Sequence, residues 1–401
     1  MNLIVVNIDS IRIGHPLPFS LRDETGVLLA SKGYVVKKRD DLLEIIGRRS
    51  QLFVDVAESQ DHLKAYQGKL LRMVRQEQTL GDIAEARISS SDVDGSQDKI
   101  DSGKPDWLNL QEQANAMLLD TNAESFGLRL DKLQLQITRH THENPDATLF
   151  ALIHLATYDV HLYSATHAML VAAMCSLAAY QVLNWSPESE VTLCKAALTM
   201  NLGMTELEDL LARQKTLPSA EQHLESDQLA GNTARLLSQL RIIDPTHLEA
   251  VAHHRDQTPG PLAARSEGQQ MARLIQRANR FTARLAPRST ESPDMAASVM
   301  QACYLDENGQ PDVAGAALIK AVGIYSPGTF VRLVTDEVAV VIKRGPNTST
   351  PTVAVLINRN GLPNGELVVR NTSKREFRIV AAVPHREIKV NVSLERLLLL
   401  T

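Results

Sequence analysis

Residues 164–204 read SATHAMLVAAMCSLAAYQVLNWSPESEVTLCKAALTMNLGM. This stretch contains two apolar segments of helical length, 164–183 and 188–202, separated by a turn that includes Ser186 and Pro187. Serine is a favoured N-cap and proline suits the first position of a helix, so the second helix is predicted to begin there. A helix that is apolar on every side is stable only when other helices cover it. The stretch therefore predicts the centre of a helical domain.

Residues 168–185 are also the membrane-span candidate of this sequence. Cys175, Ser176 and Gln181 interrupt the apolar run, and much of the remainder is alanine. A spanning helix needs about 20 predominantly apolar residues. We therefore interpret the segment as a buried core helix and expect no membrane span.

The composition is that of a globular protein in a reducing compartment. Hydrophobic residues make up 44% and charged residues 22% of the chain, and the net charge of −5 argues against nucleic acid as the main partner. The three cysteines are odd in number and lie in apolar runs, which indicates reduced thiols. The segment MNLIVVNIDS lacks the basic region of a signal peptide. We expect a cytoplasmic protein.

The sequence changes character along its 401 residues, so more than one domain is expected. Residues 1–87 predict a small β-rich module followed by a connecting helix. Residues 88–106 are rich in Ser, Asp and Gly and predict a flexible linker. Residues 107–329 predict helices throughout, and residues 330–401 predict a small antiparallel β module. The fold class is therefore α+β, with a central all-α domain between two β modules.

Individual elements follow from periodicity and from turn residues. In the N-terminal module we predict a hairpin whose turn contains Gly26, a returning strand at residues 52–56, and helices at 40–47 and 58–87. Besides the two central helices, the helical region predicts helices at 107–119, 128–137, 221–239, 247–254, 269–285 and 313–322. The C-terminal strands are predicted at 330–334, 338–342, 353–357, 366–369 and 377–380.

Two segments carry a resemblance to a known family. The run AALTMNLGM at 196–204 ends a helix with Asn and Gly, and we expect its last turn to open into a pocket. In place and length it resembles the HD-x-G-K segment of HD-GYP proteins, which are metal-dependent phosphodiesterases that hydrolyse cyclic di-GMP. The run LIKAVGIYSPGTFVRL at 318–333 resembles the family's GIYPPGTxVRL segment. The resemblance covers about 150–345 and implies an HD-GYP-like helical domain.

The resemblance also identifies the positions of the family's metal ligands, and most of them are substituted. His167 matches the first ligand and is retained. Met200 and Asn201 stand where the family has His and Asp, Met204 where it has Lys, and Asn279 where it has a ligand Asp.

The remaining family positions follow further along the chain. His253 and His254 resemble its paired histidines, Arg255 stands where Glu is usual, and Arg288 matches an Arg of the family.

These substitutions remove the charges that the family's chemistry needs. Hydrolysis by this route uses hard divalent ions held by imidazoles and a carboxylate, so that a bound water loses its proton near neutral pH. Asn201 and Asn279 offer neutral amides, and the thioether of Met200 is too soft a ligand for Fe, Mn or Mg. We expect no catalytic residues, no bound metal and no cofactor.

The residues that could still bind a metal also have simpler interpretations. His167, His253, His254 and Asp256 could hold a single ion, but neighbouring helical residues point about 100° apart, and His167 is interpreted as a hydrogen-bonded core histidine. His140-Thr141-His142-Glu143 resembles a metal motif, yet it precedes a proline and is expected to be an exposed helix end.

Three functions remain open at this point. The favoured one is a catalytically inactive signalling scaffold or regulator in cyclic di-GMP-related bacterial signalling, which acts through protein partners. The second is a cyclic di-GMP sensor without turnover. Phosphates would be held there by arginines, although surface solvation explains these residues as well; the candidates are Arg255, Arg265, Arg284 and Arg288. The third is a phosphodiesterase with a rearranged divalent-metal site. The family analogy also suggests a homodimer.

Overall fold

The computed structural model of the chain divides into two compact units, Met1–Lys104 and Pro105–Thr401. The residues that it describes are 3–6, 17, 19–23, 25–31, 34, 52–55, 105–119, 122–158, 162–214, 216–285, 296–388, 390 and 394–401. Both helices and antiparallel sheets are present, so the chain is of mixed helical and sheet class.

The N-terminal unit contains a four-stranded antiparallel sheet. Its strands are β1 (Leu3–Val5), β2 (Leu21–Arg22), β3 (Leu28–Ala30) and β4 (Phe53–Asp55), in the order β1-β4-β2-β3. The predicted hairpin is confirmed, because β2 pairs with β3 and Gly26 in the turn has a φ of 86°. The Asp23 carboxylate accepts hydrogen bonds from the amides of Thr25 and Val27 and closes the turn. The helices predicted at 40–47 and 58–87, and residues 88–104 of the predicted linker, lie outside the described residues.

The second unit is built mainly of helices. In chain order they are α1 (Trp107–Leu119), α2 (Phe126–Glu143), α3 (Pro145–Tyr158), α4 (Tyr163–Ala178), α5 (Pro187–Thr199), α6 (Thr205–Arg213), α7 (Ala220–Gln239), α8 (Pro245–His253), α9 (Glu267–Leu285), α10 (Ala296–Tyr304), α11 (Val313–Val322) and α12 (Leu394–Leu398). The bounds predicted for α1 and α11 are confirmed. The helices α3, α6, α10 and α12 were not predicted.

Helix α4 is the centre of this unit, because every one of its 16 residues is buried. It packs against α1, α2, α3, α5, α6, α9 and α11, and it continues as a π-helical turn over Ala179–Leu183. By length and composition alone, Tyr163–Leu183 could cross a membrane, and 78% of its apolar window is buried inside the protein. The other helices therefore provide the apolar surroundings that this segment requires.

Helix α5 begins as its sequence predicts. Pro187 is its first residue, and the Ser186 hydroxyl accepts a hydrogen bond from the Ser189 amide. Within the first turn, buried Glu190 accepts hydrogen bonds from Ser176 of α4 and lies 2.8 Å from Nε2 of His142. Helix α2 ends at Glu143, and the prediction of an exposed helix end is confirmed for His142 and Glu143 but wrong for Thr141, which is buried. His142 also contacts a buried carboxylate from α5.

The C-terminal strands form a five-stranded antiparallel sheet. They are β5 (Phe330–Leu333), β6 (Val338–Lys343), β7 (Thr352–Ile357), β8 (Pro363–Asn371) and β9 (Ile379–Val383), in the order β8-β7-β6-β5-β9. One face of the sheet packs on Phe150 of α3 and Leu397 of α12, and the other face buries a second apolar cluster that includes Val331 and Val341. The antiparallel β prediction is confirmed, although β8 is longer than predicted and β9 begins two residues later.

A buried ion-pair network ties α9 to the start of α11. Arg273 and Arg277 both donate to the Asp312 carboxylate, at 2.7 and 3.0 Å, and both also contact Glu307. Burial opposes the charge on Asp312, but the Gly315 amide and the two guanidinium groups outweigh it and lower the pKa of that carboxyl. The arginine side chains are 3% and 0% exposed, so removing the charge of Asp312 would leave two buried guanidinium groups with only the Glu307 carboxylate between them.

Substituting D312N should therefore destabilise the protein by about 3–5 kcal/mol, measured as the free energy of unfolding in urea. Asp312 also caps α11 through the Gly315 amide, and asparagine caps helices equally well, so the variant isolates the loss of charge. The matched control is E143Q, which changes a half-exposed partner of Arg139 and should shift the unfolding midpoint little. An equal loss of unfolding free energy in D312N and E143Q would contradict the conclusion that the buried ion pairs stabilise the protein.

Candidate functional site

A small pocket lies at the C-terminal end of α5, where α4 and α6 meet it. It is lined by Leu118, Ser164, His167, Ala168, Leu198, Met200, Asn201, Thr205 and Glu208. Its cavity volume is about 10 Å³, far below the 300–1,000 Å³ usual for small-molecule sites. The end of α5 thus opens into a pocket, but one that is too small in this form for a dinucleotide.

The retained histidine is bonded to one of the substituted positions. Nε2 of His167 lies 2.6 Å from Oδ1 of Asn279, a residue 112 positions further along the chain. An amide oxygen only accepts hydrogen bonds, so Nε2 must carry the proton of the ring. A histidine binds a metal through an unprotonated nitrogen. In this arrangement Nε2 of His167 is therefore not available to a metal ion.

Asn201 is held between two charged side chains. Its amide nitrogen donates to Oε1 of Glu208 at 2.9 Å, and its Oδ1 accepts from Nη2 of Arg255 at 3.4 Å. The same guanidinium nitrogen lies 3.1 Å from the sulfur of Met204. A fixed positive charge, located two residues after the end of α8, thus contacts two positions at which the resemblance implies Asp and Lys.

The methionines at the substituted positions act as core residues. Met200 and Met204 are 1% and 2% exposed, and Met200 belongs to the main apolar cluster of the unit. Burying an apolar side chain here adds to the stability of the end of α5, whereas a charged or imidazole side chain would need a partner. The helix end is therefore stabilised by packing.

His253 and His254 do not converge on one point. The side chain of His253 is partly exposed, and its Nδ1 lies 2.6 Å from Oδ2 of Asp256. His254 is 2% exposed and its Nδ1 lies 2.7 Å from the carbonyl oxygen of Val251, so this ring nitrogen carries the proton. Burial lowers the pKa of His254 to about 4, and the ring is neutral at physiological pH.

The arginines considered for phosphate binding are dispersed. Arg255 is exposed and contacts Asn201, Arg284 is exposed near the end of α9, and Arg288 lies outside the described residues. Arg265 donates to the carbonyl oxygen of Thr258. Within the part of the chain that the structure describes, no group of three or more His, Cys, Asp or Glu side chains is placed to hold a metal ion.

Three polar residues of the site were missed in the sequence. Ser164 donates through its backbone amide to Asp209 at 2.8 Å and through its hydroxyl to the carbonyl oxygen of Thr205 at 3.1 Å, and Glu208 accepts from Asn201. Both acids belong to α6, a nine-residue helix. The signal was available as the run TELEDLLAR after Gly203, in which leucines recur at helical spacing beside acidic residues.

Comparison with known proteins adds little to this description. No protein-family model matches the chain, and no curated protein matches it. Among solved structures it is similar to Bd1817, a HDG"Y"P protein from Bdellovibrio bacteriovorus, at 13% sequence identity and a TM-score of 0.42, over 79% of this chain and 98% of that one. A likeness at this TM-score carries no argument about activity or fold. The site is therefore interpreted from its own residues.

The buried, neutral ring of His254 has a consequence for stability. Between pH 6.5 and about 4 the unfolded chain binds a proton at this residue that the folded chain does not, so the free energy of unfolding falls as the pH falls. One such histidine contributes a slope of up to about 1.4 kcal/mol per pH unit.

H254N keeps a donor for the Val251 carbonyl and removes the titrating ring. The slope of unfolding free energy against pH, from urea titrations between pH 4.5 and 7, should become shallower in this variant than in the wild type. H253N alters the adjacent, partly exposed histidine and is the control for a change of ring at the same helix end. Identical slopes in H254N and the wild type would refute the conclusion that His254 is buried as a neutral ring with a lowered pKa.

Proposed function

We propose that the unit formed by residues 105–401 is a catalytically inactive, HD-GYP-like domain. It serves as a cytoplasmic scaffold or regulator in cyclic di-GMP-related bacterial signalling, and it acts through contacts with other proteins. The observation that supports this proposal is that three positions matching metal ligands form hydrogen bonds with other side chains of the chain. His167 donates to Asn279, and Asn201 bridges Glu208 and Arg255. The groups that would bind metal ions in a phosphodiesterase are used here to hold helices together.

Electrostatics supports the same proposal. Repulsion between a dication and a guanidinium group 4 Å away is about 8 kcal/mol at the effective dielectric near a protein surface and about 2 kcal/mol in water. Arg255 contacts Asn201 and Met204, and so it opposes a divalent ion at these positions. Neither asparagine supplies a negative charge to offset this repulsion. The missing carboxylate ligands and the positive charge of Arg255 both weaken the binding of a divalent ion.

The competing functions make different demands on the site. A sensor of cyclic di-GMP would need the pocket to enlarge, and its phosphates would need arginines that converge. A phosphodiesterase with a rearranged site would need three or more ligands around each ion, with His167 rotated away from Asn279. The scaffold function requires neither change.

Metal analysis of the purified full-length chain tests the proposal directly. After incubation with Fe²⁺, Mn²⁺ or Zn²⁺ and removal of free ions, the wild type should retain well under one ion per chain, because asparagines stand at two ligand positions, Glu208 is engaged by Asn201, and Arg255 contacts the same residue. The comparison variant is M200H/N201D/R255E/N279D, which restores the family residues and should retain more metal than the wild type. Stoichiometric metal in the wild type would reject the proposal, whatever the behaviour of the variant.

Calorimetric titration with cyclic di-GMP separates the scaffold from the sensor. With the wild type we expect no saturable binding isotherm and no hydrolysis product, because the pocket is smaller than the ligand. R284A is the control for weak contacts of phosphate with exposed arginine. Saturable binding without hydrolysis would replace the scaffold proposal by the sensor, and hydrolysis would replace both by the phosphodiesterase.

A further inference from the structure

Helix α2 has an apolar strip on the side that faces away from the core. Phe126, Leu130 and Ile137 are buried, whereas Leu128 and Leu135 are 74% and 65% exposed. The two exposed leucines are seven residues apart and therefore lie on one face of the helix. Large apolar side chains that repeat along one outer face are typical of a surface that binds another helix.

Charged residues continue this face on either side of the leucines. Asp131 and Lys132 lie between them, Glu124 precedes the helix, and Arg139 lies near its end. Within the helix, positions 128, 131, 135 and 139 are spaced by three or four residues and form one continuous face, and Glu124 lies in the turn just before the helix. All four charged residues are exposed, so each can reach a partner beyond this chain.

The order of these residues is self-complementary when the helix is paired with a copy of itself in the opposite direction. If a two-fold axis passes between Asp131 and Lys132, Asp131 of each copy faces Lys132 of the other copy. In the same register, Leu128 faces Leu135 of the second copy. A parallel pairing would instead place each charge against an identical charge, which is destabilising.

The outermost charges obey the same symmetry. Glu124 of one copy faces Arg139 of the second copy in the register that pairs Leu128 with Leu135. A two-fold interface uses the same patch on both subunits, so each of these contacts occurs twice. Every pair in this register is thus either apolar with apolar or acidic with basic.

We propose that the outer face of α2 is the contact surface of a homodimer, in which two α2 helices pack antiparallel about an axis between Asp131 and Lys132. Its 18 residues span about 27 Å, and a single pair of helices of this length is near the lower limit of area for a stable interface. The dimer is therefore reversible and depends on protein concentration. The proposal is independent of whether the site binds metal.

Existing contacts within the chain are compatible with this pairing. Asp131 forms an ion pair with Lys195 of α5, with Oδ1 2.6 Å from Nζ, yet the Asp131 side chain remains 57% exposed. Arg139 pairs with Glu143 one turn later, and both side chains are about half exposed. Exposed ion pairs of this kind contribute little to stability and can be shared with a second copy.

The primary test is the molar mass of the full-length chain by light scattering over a range of concentrations. The wild type should change from monomer to dimer as the concentration rises, and L128D/L135D should raise the dissociation constant at least about a hundredfold. The matched control is L217D/I243D, which changes two apolar residues of similar exposure, 72% and 86%, elsewhere on the unit and should dimerise as the wild type does.

Charge reversal tests the register. E124K and R139E should each raise the dissociation constant about threefold or more, because each places like charges together twice, and the double variant E124K/R139E should restore the wild-type value. Failure of the double variant to recover would overturn the register, even if each single variant weakens the dimer.

Disulfide trapping tests the direction of the helices, since the three native cysteines are buried. A mixture of L128C and L135C chains should form a crosslinked dimer under mild oxidation, whereas either variant alone should not. A wild type that is monomeric at all concentrations, a dimer that is unaffected by L128D/L135D, or crosslinking of L128C with itself would each overturn the proposal.

Discussion

The burial of α4 on all sides is the constraint on which the rest of the helical unit depends. A helix without a solvent-exposed face must be covered completely, and seven other helices pack against it. Its few polar side chains must then find partners inside the protein, because an unpaired buried polar group is costly. Ser176 is paired with Glu190 and His167 with Asn279 for this reason. The polar contacts of α4 therefore determine how α5 and α9 are placed around it.

The same constraint explains how a pocket beside His167 is held together by hydrogen bonds and apolar packing. His167 lies in the wall of the core, so any residue opposite it must satisfy its Nε2 proton, and the carbonyl of an amide does so without adding charge. Met200 fills buried volume at the end of α5, where a histidine would need a further partner. Met200 and the pair of His167 with Asn279 thus add no charge to this part of the core, whereas Asn201 lies between Glu208 and Arg255. The arrangement is a stable structural solution in its own right.

Local patterns in the sequence predicted much of the fold and less of the site. The bounds of α1 and α11 and the Ser186 cap of α5 follow from neighbouring residues, and so does the alternation of the C-terminal strands, whereas α5 ends at Thr199, three residues earlier than predicted. Helix α3 was missed because it is apolar on nearly every side and shows no helical period, and α6 because it has only nine residues. Contacts such as His167 with Asn279, or Arg255 with Met204, join residues that are 112 and 51 positions apart. No local pattern contains that information, since it arises from how the helices pack.

The guanidinium group of Arg255 has a physiological implication. A positive charge that is covalently attached to the chain cannot be chelated, exchanged or oxidised, and arginine stays protonated at any pH that a cell reaches. The charge that Arg255 places beside Asn201 and Met204 is then the same in iron starvation, in oxidative stress and in acid. In the proposed scaffold, the contacts with other proteins would accordingly not depend on the supply of metal.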